Sequence, residues 1–222
     1  MNAVAEIALT LPCRGSRLAG IWHRSSRPGR RGVIVVVGGP QYRAGSHRQF
    51  VLLARHLALS GIPALRFDCR GMGDSEGEFS GFENIGPDIA AAVDEFSARE
   101  PGVSEFVLWG LCDGASAIVD YAHRDARIKG LVLLNPWVRS DEGLARARVK
   151  HYYPGRLLTL EFWRKLARGG VDLSGALTAL WGNVRRATGA ASGTLGERMA
   201  DGLARFKGPV LVVTSGKDLE AK

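Results

Sequence analysis

The chain opens on two stretches of alternating apolar and polar residues, 3–11 and 17–23, joined by a turn around Arg14-Gly15-Ser16. That pattern predicts a β-hairpin. A polar loop containing Pro and Gly, Arg24–Arg31, follows, and then the rhythm changes. The runs Val33–Val37, Ala64–Phe67, Phe106–Trp109, Leu131–Leu134 and Val210–Val213 lack alternation and read as strands buried on both faces. Helical periodicity marks roughly Gln49–Ser60, Ile85–Arg99 and Ala115–His123 between them. Continuous apolar strands separated by helices predict a mostly parallel sheet with helices on both faces.

Between Val138 and Phe206 the rhythm breaks. No strand-like run occurs there, while Tyr152, Tyr153, Phe162, Trp163 and Trp181 are interspersed with basic residues. The expected organisation is a core half over 1–138, a helical cap over 139–204 inserted after the sixth strand, and a return to the core over 205–222. Gly189–Gly196 reads as a flexible link in or at the end of the cap.

Composition narrows the class. At 222 residues with 45% apolar and 23% charged residues, the chain fits one large α/β domain or a domain with an inserted subdomain. Its longest apolar runs fall far short of the roughly 20 residues that cross a bilayer. The start, MNAVAEIALTLPC, lacks the basic start and long apolar core of a secretory leader. Three cysteines (Cys13, Cys69, Cys112) without CxxC spacing argue against a disulfide framework and a thiolate zinc site. They favour a reducing compartment, so a cytoplasmic location is expected.

The net charge is +8, and much of it is local. Residues Arg139–Arg186 hold ten Lys or Arg against four acids. Such a cluster suits an anionic substrate, or is simply a solvated surface. No zinc finger, RNP-like aromatic motif or basic helix points to nucleic acid. No His/Asp/Glu cluster has metal-ligand spacing, so no metal is expected. Nor is a nucleotide cofactor: Gly71-x-Gly73 lacks the third glycine and the helix start of a dinucleotide-binding turn. The oligomeric state has no signature in the sequence.

The chemistry concentrates at VLWGLCDGASA, residues 107–117. Gly110-Leu111-Cys112-Asp113-Gly114 has the spacing of a nucleophile elbow, with cysteine where serine is usual. A nucleophile on a sharp strand-to-helix turn needs small neighbours, which Gly110 and Gly114 supply. The turn lifts the side chain clear of the backbone and sets the next N–H, from Asp113, where an oxyanion would form. A helix start also lowers a thiol's pKa. The alternative is a small apolar thiol packed in a turn. A second oxyanion donor would come from Gly38-Gly39-Pro40-Gln41-Tyr42. Pro40 has no N–H, which leaves Gln41 first and Gly39 second. In FDCRGMGDSEG, residues 67–77, Asp68 and Arg70 read as a pair bracing a loop beside the site. Asp218, just beyond Val210–Ser215, fits a triad acid in the order nucleophile, acid, histidine; a plain turn aspartate is the alternative.

Together, GGPQYR, FDCRGMGDSEG, the GLCDG elbow and VTSGKD resemble the α/β-hydrolase superfamily, in its serine aminopeptidase-like branch. GGPQYRAGSHRQF followed by GLCDGA more closely resembles the exosortase A system-associated hydrolases of type 1, a group encoded with exopolysaccharide genes. The resemblance implies an α/β-hydrolase fold and hydrolysis of a small-molecule ester or thioester. It makes Cys112 the nucleophile, Asp218 the acid, and Asp113 and Gln41 the oxyanion donors. Cysteine replaces the usual serine, and Gly38-Gly39 stands where many relatives have His-Gly. Acyl transfer to an alcohol and a non-catalytic scaffold on the same fold remain open. The superfamily's histidine base follows the acid after another strand and helix, whereas four residues follow Asp218 here. The expectation is therefore that the gene product continues through that histidine, and that the stretch ending at Lys222 is nearly inactive. His47, His151, His23, His56 and His123 read as surface or packed side chains rather than relocated bases.

Overall fold

A computed structural model describes residues 5–38, 41–136 and 195–215. Met1–Val138 with Arg198–Lys222 forms one compact unit and Arg139–Glu197 another. Most of the expected cap lies outside the described residues.

The predicted hairpin forms. β1 (Ala5–Cys13) and β2 (Ser16–Arg24) pair antiparallel, Cys13 opposite Ser16, across a turn with positive φ at Arg14 and Gly15. The other strands are β3 (Arg31–Val36), β4 (Ala64–Phe67), β5 (Glu105–Leu111), β6 (Ile128–Leu134) and β7 (Val210–Val213). They make one seven-stranded sheet in the order β1-β2-β4-β3-β5-β6-β7. The pairing is antiparallel from β1 to β4 and parallel from there to β7.

Helix α1 (Gln49–Leu59) buries Phe50, Val51, Ala54 and Ala58, a stripe one turn apart. Phe50 and Ala54 pack against Val33, Val35 and Val37 on one face of the sheet, and Phe50 meets Trp109 edge-on at 5.3 Å. Helix α2 (Gly86–Arg99) starts with Pro87 in its first turn and buries Ile89, Ala92, Val93 and Phe96. Its Phe96 lies against Gly32 and Phe106, which places α2 on the opposite face. Helix α3 (Asp113–Ala122) is buried from Gly114 to Ala122. Helix α4 (Leu195–Arg205) lays Gly202 against the Val119 carbonyl of α3, so close that a Cβ there would stand 2.5 Å from that oxygen.

Strands β3 and β4 are as buried as their sequences predict. Strand β7 corrects the expectation: Val210–Val213 forms a strand, but all four residues are exposed, from 38% to 58%. Among the described residues it stands last in the sheet and pairs with β6 alone, so its apolar side chains have described strand neighbours on one side.

Candidate active site

The C-terminal ends of β3 and β5 lie side by side and bring the start of the loop after β3 against the turn at Cys112. Strand β5 ends at Leu111 and α3 begins at Asp113, leaving Cys112 alone at the junction. Its backbone has φ 50° and ψ −121°, a region that side chains with a Cβ avoid. The turn is fixed on both sides. The Cys112 N–H donates to the Leu134 carbonyl at 2.9 Å, and its own carbonyl accepts from the Ser116 N–H at 3.1 Å.

Close packing explains the glycines. A Cβ on Gly110 would stand 2.7 Å from the Ala115 backbone, and one on Gly114 would stand 2.4 Å from the Val36 carbonyl. Gly38, at the start of the loop after β3, is tighter still. A Cβ there would meet the Leu111 carbonyl at 2.0 Å, the Gly114 nitrogen at 2.5 Å and the Asp113 nitrogen at 2.9 Å. The loop that carries Gln41 therefore leaves the sheet in contact with the elbow. Sequence reasoning had assigned only Gly110 and Gly114 to that packing.

Cys112 is half-buried, with one side against the cluster of Val37, Phe50 and Leu111. The other two thiols are buried, Cys13 at 5% and Cys69 at 1% exposure. Burial, with the Asp88 carboxylate adding to it, pushes the Cys13 thiol pKa up and the Cys69 thiol well up. Asp113 stands in the first turn of α3. Gln41 is half-buried, and its Oε1 is buried with no hydrogen-bond partner among the described residues. Asp218 and Gly39 lie outside the described residues, as does His151. The chain toward Asp218 is tethered, however. Asn135, at φ 46°, donates its N–H to the Val213 carbonyl at 2.8 Å and accepts from the Ser215 N–H through Oδ1 at 2.7 Å.

The expected Asp68–Arg70 brace is two separate braces. Arg70 pairs with the buried Asp88 of α2, with Nη2 to Oδ2 at 2.9 Å. Asp68 pairs with Arg43 instead, accepting the Arg43 backbone N–H at 2.7 Å as well as its guanidinium. Arg43 also reaches Asp74 at 2.8 Å and lies 4.3 Å from the centre of the Tyr42 ring. Burial opposes the Arg43 charge, but the two carboxylates overcome it and hold its pKa above the ordinary value. Arg43 stands inside the quoted GGPQYR string. Only its partners, 25 and 31 residues away, were hidden from a linear reading.

The described histidines hold varied places. His23, on β2, is fully buried and accepts from Arg66 Nε at 2.8 Å. Burial and the neighbouring Arg66 charge lower its pKa to about 4, so the ring is neutral. His47 and His56 are exposed, and His123 caps the far end of α3.

Residues 28–219 match the family described as serine aminopeptidase, S33. Solved structures share the architecture. Esterase Pf2001 of Pyrococcus furiosus is 16% identical, with 94% of this chain and 70% of that one aligned and a TM-score of 0.64. Hydrolase GrgF of Penicillium sp. sh18 is 18% identical over 97% and 90% of the two chains, with a TM-score of 0.59. Est1E of Butyrivibrio proteoclasticus, solved with ferulic acid bound, is 23% identical over 58% of this chain, with a TM-score of 0.52. This chain spans about half of Est1E, 53% of its length. No curated protein matches. The sheet and its flanking helices are thus the α/β-hydrolase fold.

Proposed function

The chain belongs to the serine aminopeptidase S33 family of α/β hydrolases, and we propose that it cleaves an ester or thioester by acyl transfer through Cys112. One observation carries this reading: Cys112 holds a strained backbone at a strand-to-helix junction whose packing admits only glycine at 110, 114 and 38. The fold stores strain at that residue and crowds the loop after β3 against the amide that follows it.

Cys112 Sγ attacks the carbonyl carbon while a base takes the thiol proton. The order nucleophile, acid, histidine puts that base after Asp218, which would hold its tautomer. The N–H groups of Asp113 and Gln41 receive the oxyanion, each contributing on the order of a hundredfold in rate. Collapse expels the alcohol or thiol, which leaves with the proton. Water then attacks the acyl-cysteine through a second oxyanion, releasing the carboxylic acid and restoring the thiol. The esterase and the ferulic acid complex among the neighbours are likenesses of fold; the ester reading rests on the elbow.

The finer assignment follows from the sequence. The GGPQYRAGSHRQF and GLCDGA strings support an accessory role in exopolysaccharide and exosortase systems, the three cysteines without CxxC spacing favour the cytoplasm, and the basic stretch over 139–186 suits a phosphorylated or carboxylated substrate. Incubation of a chain that includes the histidine base with p-nitrophenyl acetate tests the chemistry. One acetyl group should appear on the Cys112 peptide, and Cys112→Ala should abolish it. An adduct elsewhere, or undiminished acetylation of Cys112→Ala, would defeat the proposal.

A further inference from the structure

We infer that Arg43 is a positioning residue for the oxyanion donor Gln41, set in place by Asp68 and Arg66; the inference rests on the reading of Cys112 as nucleophile. The loop between β3 and α1 is fixed at both ends. At Gly38 it is pressed against the backbone of Leu111, Asp113 and Gly114. Five residues on, at Arg43, the backbone N–H, the backbone carbonyl and both terminal guanidinium nitrogens are engaged.

The Arg43 N–H donates to Asp68 Oδ1 at 2.7 Å, and Nη1 pairs with Asp68 Oδ2. Nη2 reaches Asp74 at 2.8 Å. The Arg43 carbonyl accepts from Arg66 Nη1 at 2.8 Å. The second rank is itself held. Arg66 Nε donates to His23, and Asp68 Oδ2 also accepts the Asp74 N–H at 3.2 Å. The Asp68 side chain has no exposure, and that of Arg43 has 12%.

A surface brace would engage side chains alone. Here two charged residues buried on and just beyond β4 grip the main chain of Arg43 on both its N–H and its C=O. Gln41 is two residues away, so this grip limits how far its amide can move from the elbow; the Arg43 guanidinium in turn holds the buried Asp68 carboxylate where it can accept the Arg43 N–H, so loss of the side chain loosens the main-chain grip as well. Misplacing a reacting or stabilising group by about 1 Å costs on the order of a hundredfold in rate.

The test separates two reactions of the same thiol. Acylation by p-nitrophenyl acetate passes through an oxyanion, whereas alkylation by iodoacetamide displaces iodide at a saturated carbon and forms none. Arg43→Ala should slow Cys112 acylation about a hundredfold at saturating ester and leave iodoacetamide alkylation within about twofold. Ethylguanidinium should restore part of the acylation. Arg43→Lys keeps a cation toward Asp68 and loses the fork to Asp74; it should fall between the two, and it serves if the alanine variant fails to fold. Unchanged acylation in both variants would overturn the inference, as would a proportional loss of alkylation, which marks a damaged elbow. Absence of acylation in an unsubstituted chain that includes the histidine base would instead remove the reading of Cys112 itself.

Discussion

Replacing Cys112 by glycine and by alanine should invert the usual order of stability. At an ordinary position glycine is less stable than alanine by about 0.5–1 kcal/mol, because the unfolded chain has more freedom to lose. At φ 50° and ψ −121° a Cβ carries a steric cost. Sparsely populated backbone regions cost roughly 1–3 kcal/mol for a residue with a side chain. Alanine keeps that cost and glycine releases it. Setting about 2 kcal/mol of relief against about 0.7 kcal/mol of lost entropy leaves Cys112→Gly more stable than Cys112→Ala by about 1 kcal/mol. Both variants lose the same half-buried thiol, so its contribution cancels. Urea unfolding followed by the fluorescence of the five tryptophans reads the difference. With a slope of about 2–3 kcal/mol/M, the glycine midpoint should lie roughly 0.4 M higher. An alanine variant as stable as the glycine variant, or more so, would show that the turn is relaxed. The strained-nucleophile reading would then fail.

Gly38→Ala should destabilise the protein by about 3 kcal/mol or more, because its Cβ would meet backbone atoms of Leu111 and Gly114 that no side-chain rotation can clear; a melting temperature within a degree or so of the parent's would refute that packing. Stability should also fall as the pH drops through the His23 window. The folded ring has a pKa of about 4, below its ordinary 6.5. The unfolded chain therefore takes up a proton first, and the loss begins near pH 6.5 and levels off below about pH 4, at no more than roughly 3 kcal/mol. Melting curves across that range, with His23→Gln lacking this component, check the sign and the window.

Much of the architecture is legible in apolar periodicity, because strands buried on both faces write unbroken runs and helices write stripes. The hairpin, the buried strand Ala64–Phe67 and the elbow junction follow from local sequence. What periodicity leaves out is the environment of an edge. Val210–Val213 has the composition of an interior strand, yet among the described residues it stands last in the sheet and is exposed. The candidate site divides in the same way. Gly110 and Gly114 are legible because the motif is contiguous, whereas Gly38 becomes part of the elbow only when β3 lies beside β5. Asp68 and Arg70 are two residues apart, so pairing them is the short-range guess. In the loop beyond β4 each turns to a different neighbour, Arg43 for one and Asp88 for the other.

The same geometry bears on why a cysteine can stand where related sequences are expected to hold serine. The strain at position 112 arises at the Cβ and is indifferent to whether sulfur or oxygen follows it. The crowding that shapes the turn involves only main-chain atoms of Val36, Leu111, Asp113 and Ala115 against three glycines. The anchoring of the next loop runs through Arg43, Asp68 and Arg66, none of which involves the nucleophile's side chain. On the proposed reading, the scaffold therefore specifies where a nucleophile stands and where negative charge is received, and leaves its chemical identity to a single side chain. Sulfur needs less help than oxygen to become an anion, since a free thiol ionises near pH 8.5 and a helix start lowers that value. Exchange of serine for cysteine at such a site changes how much the base must do, while the demands on Gly38, Gly110, Gly114 and Arg43 stay the same.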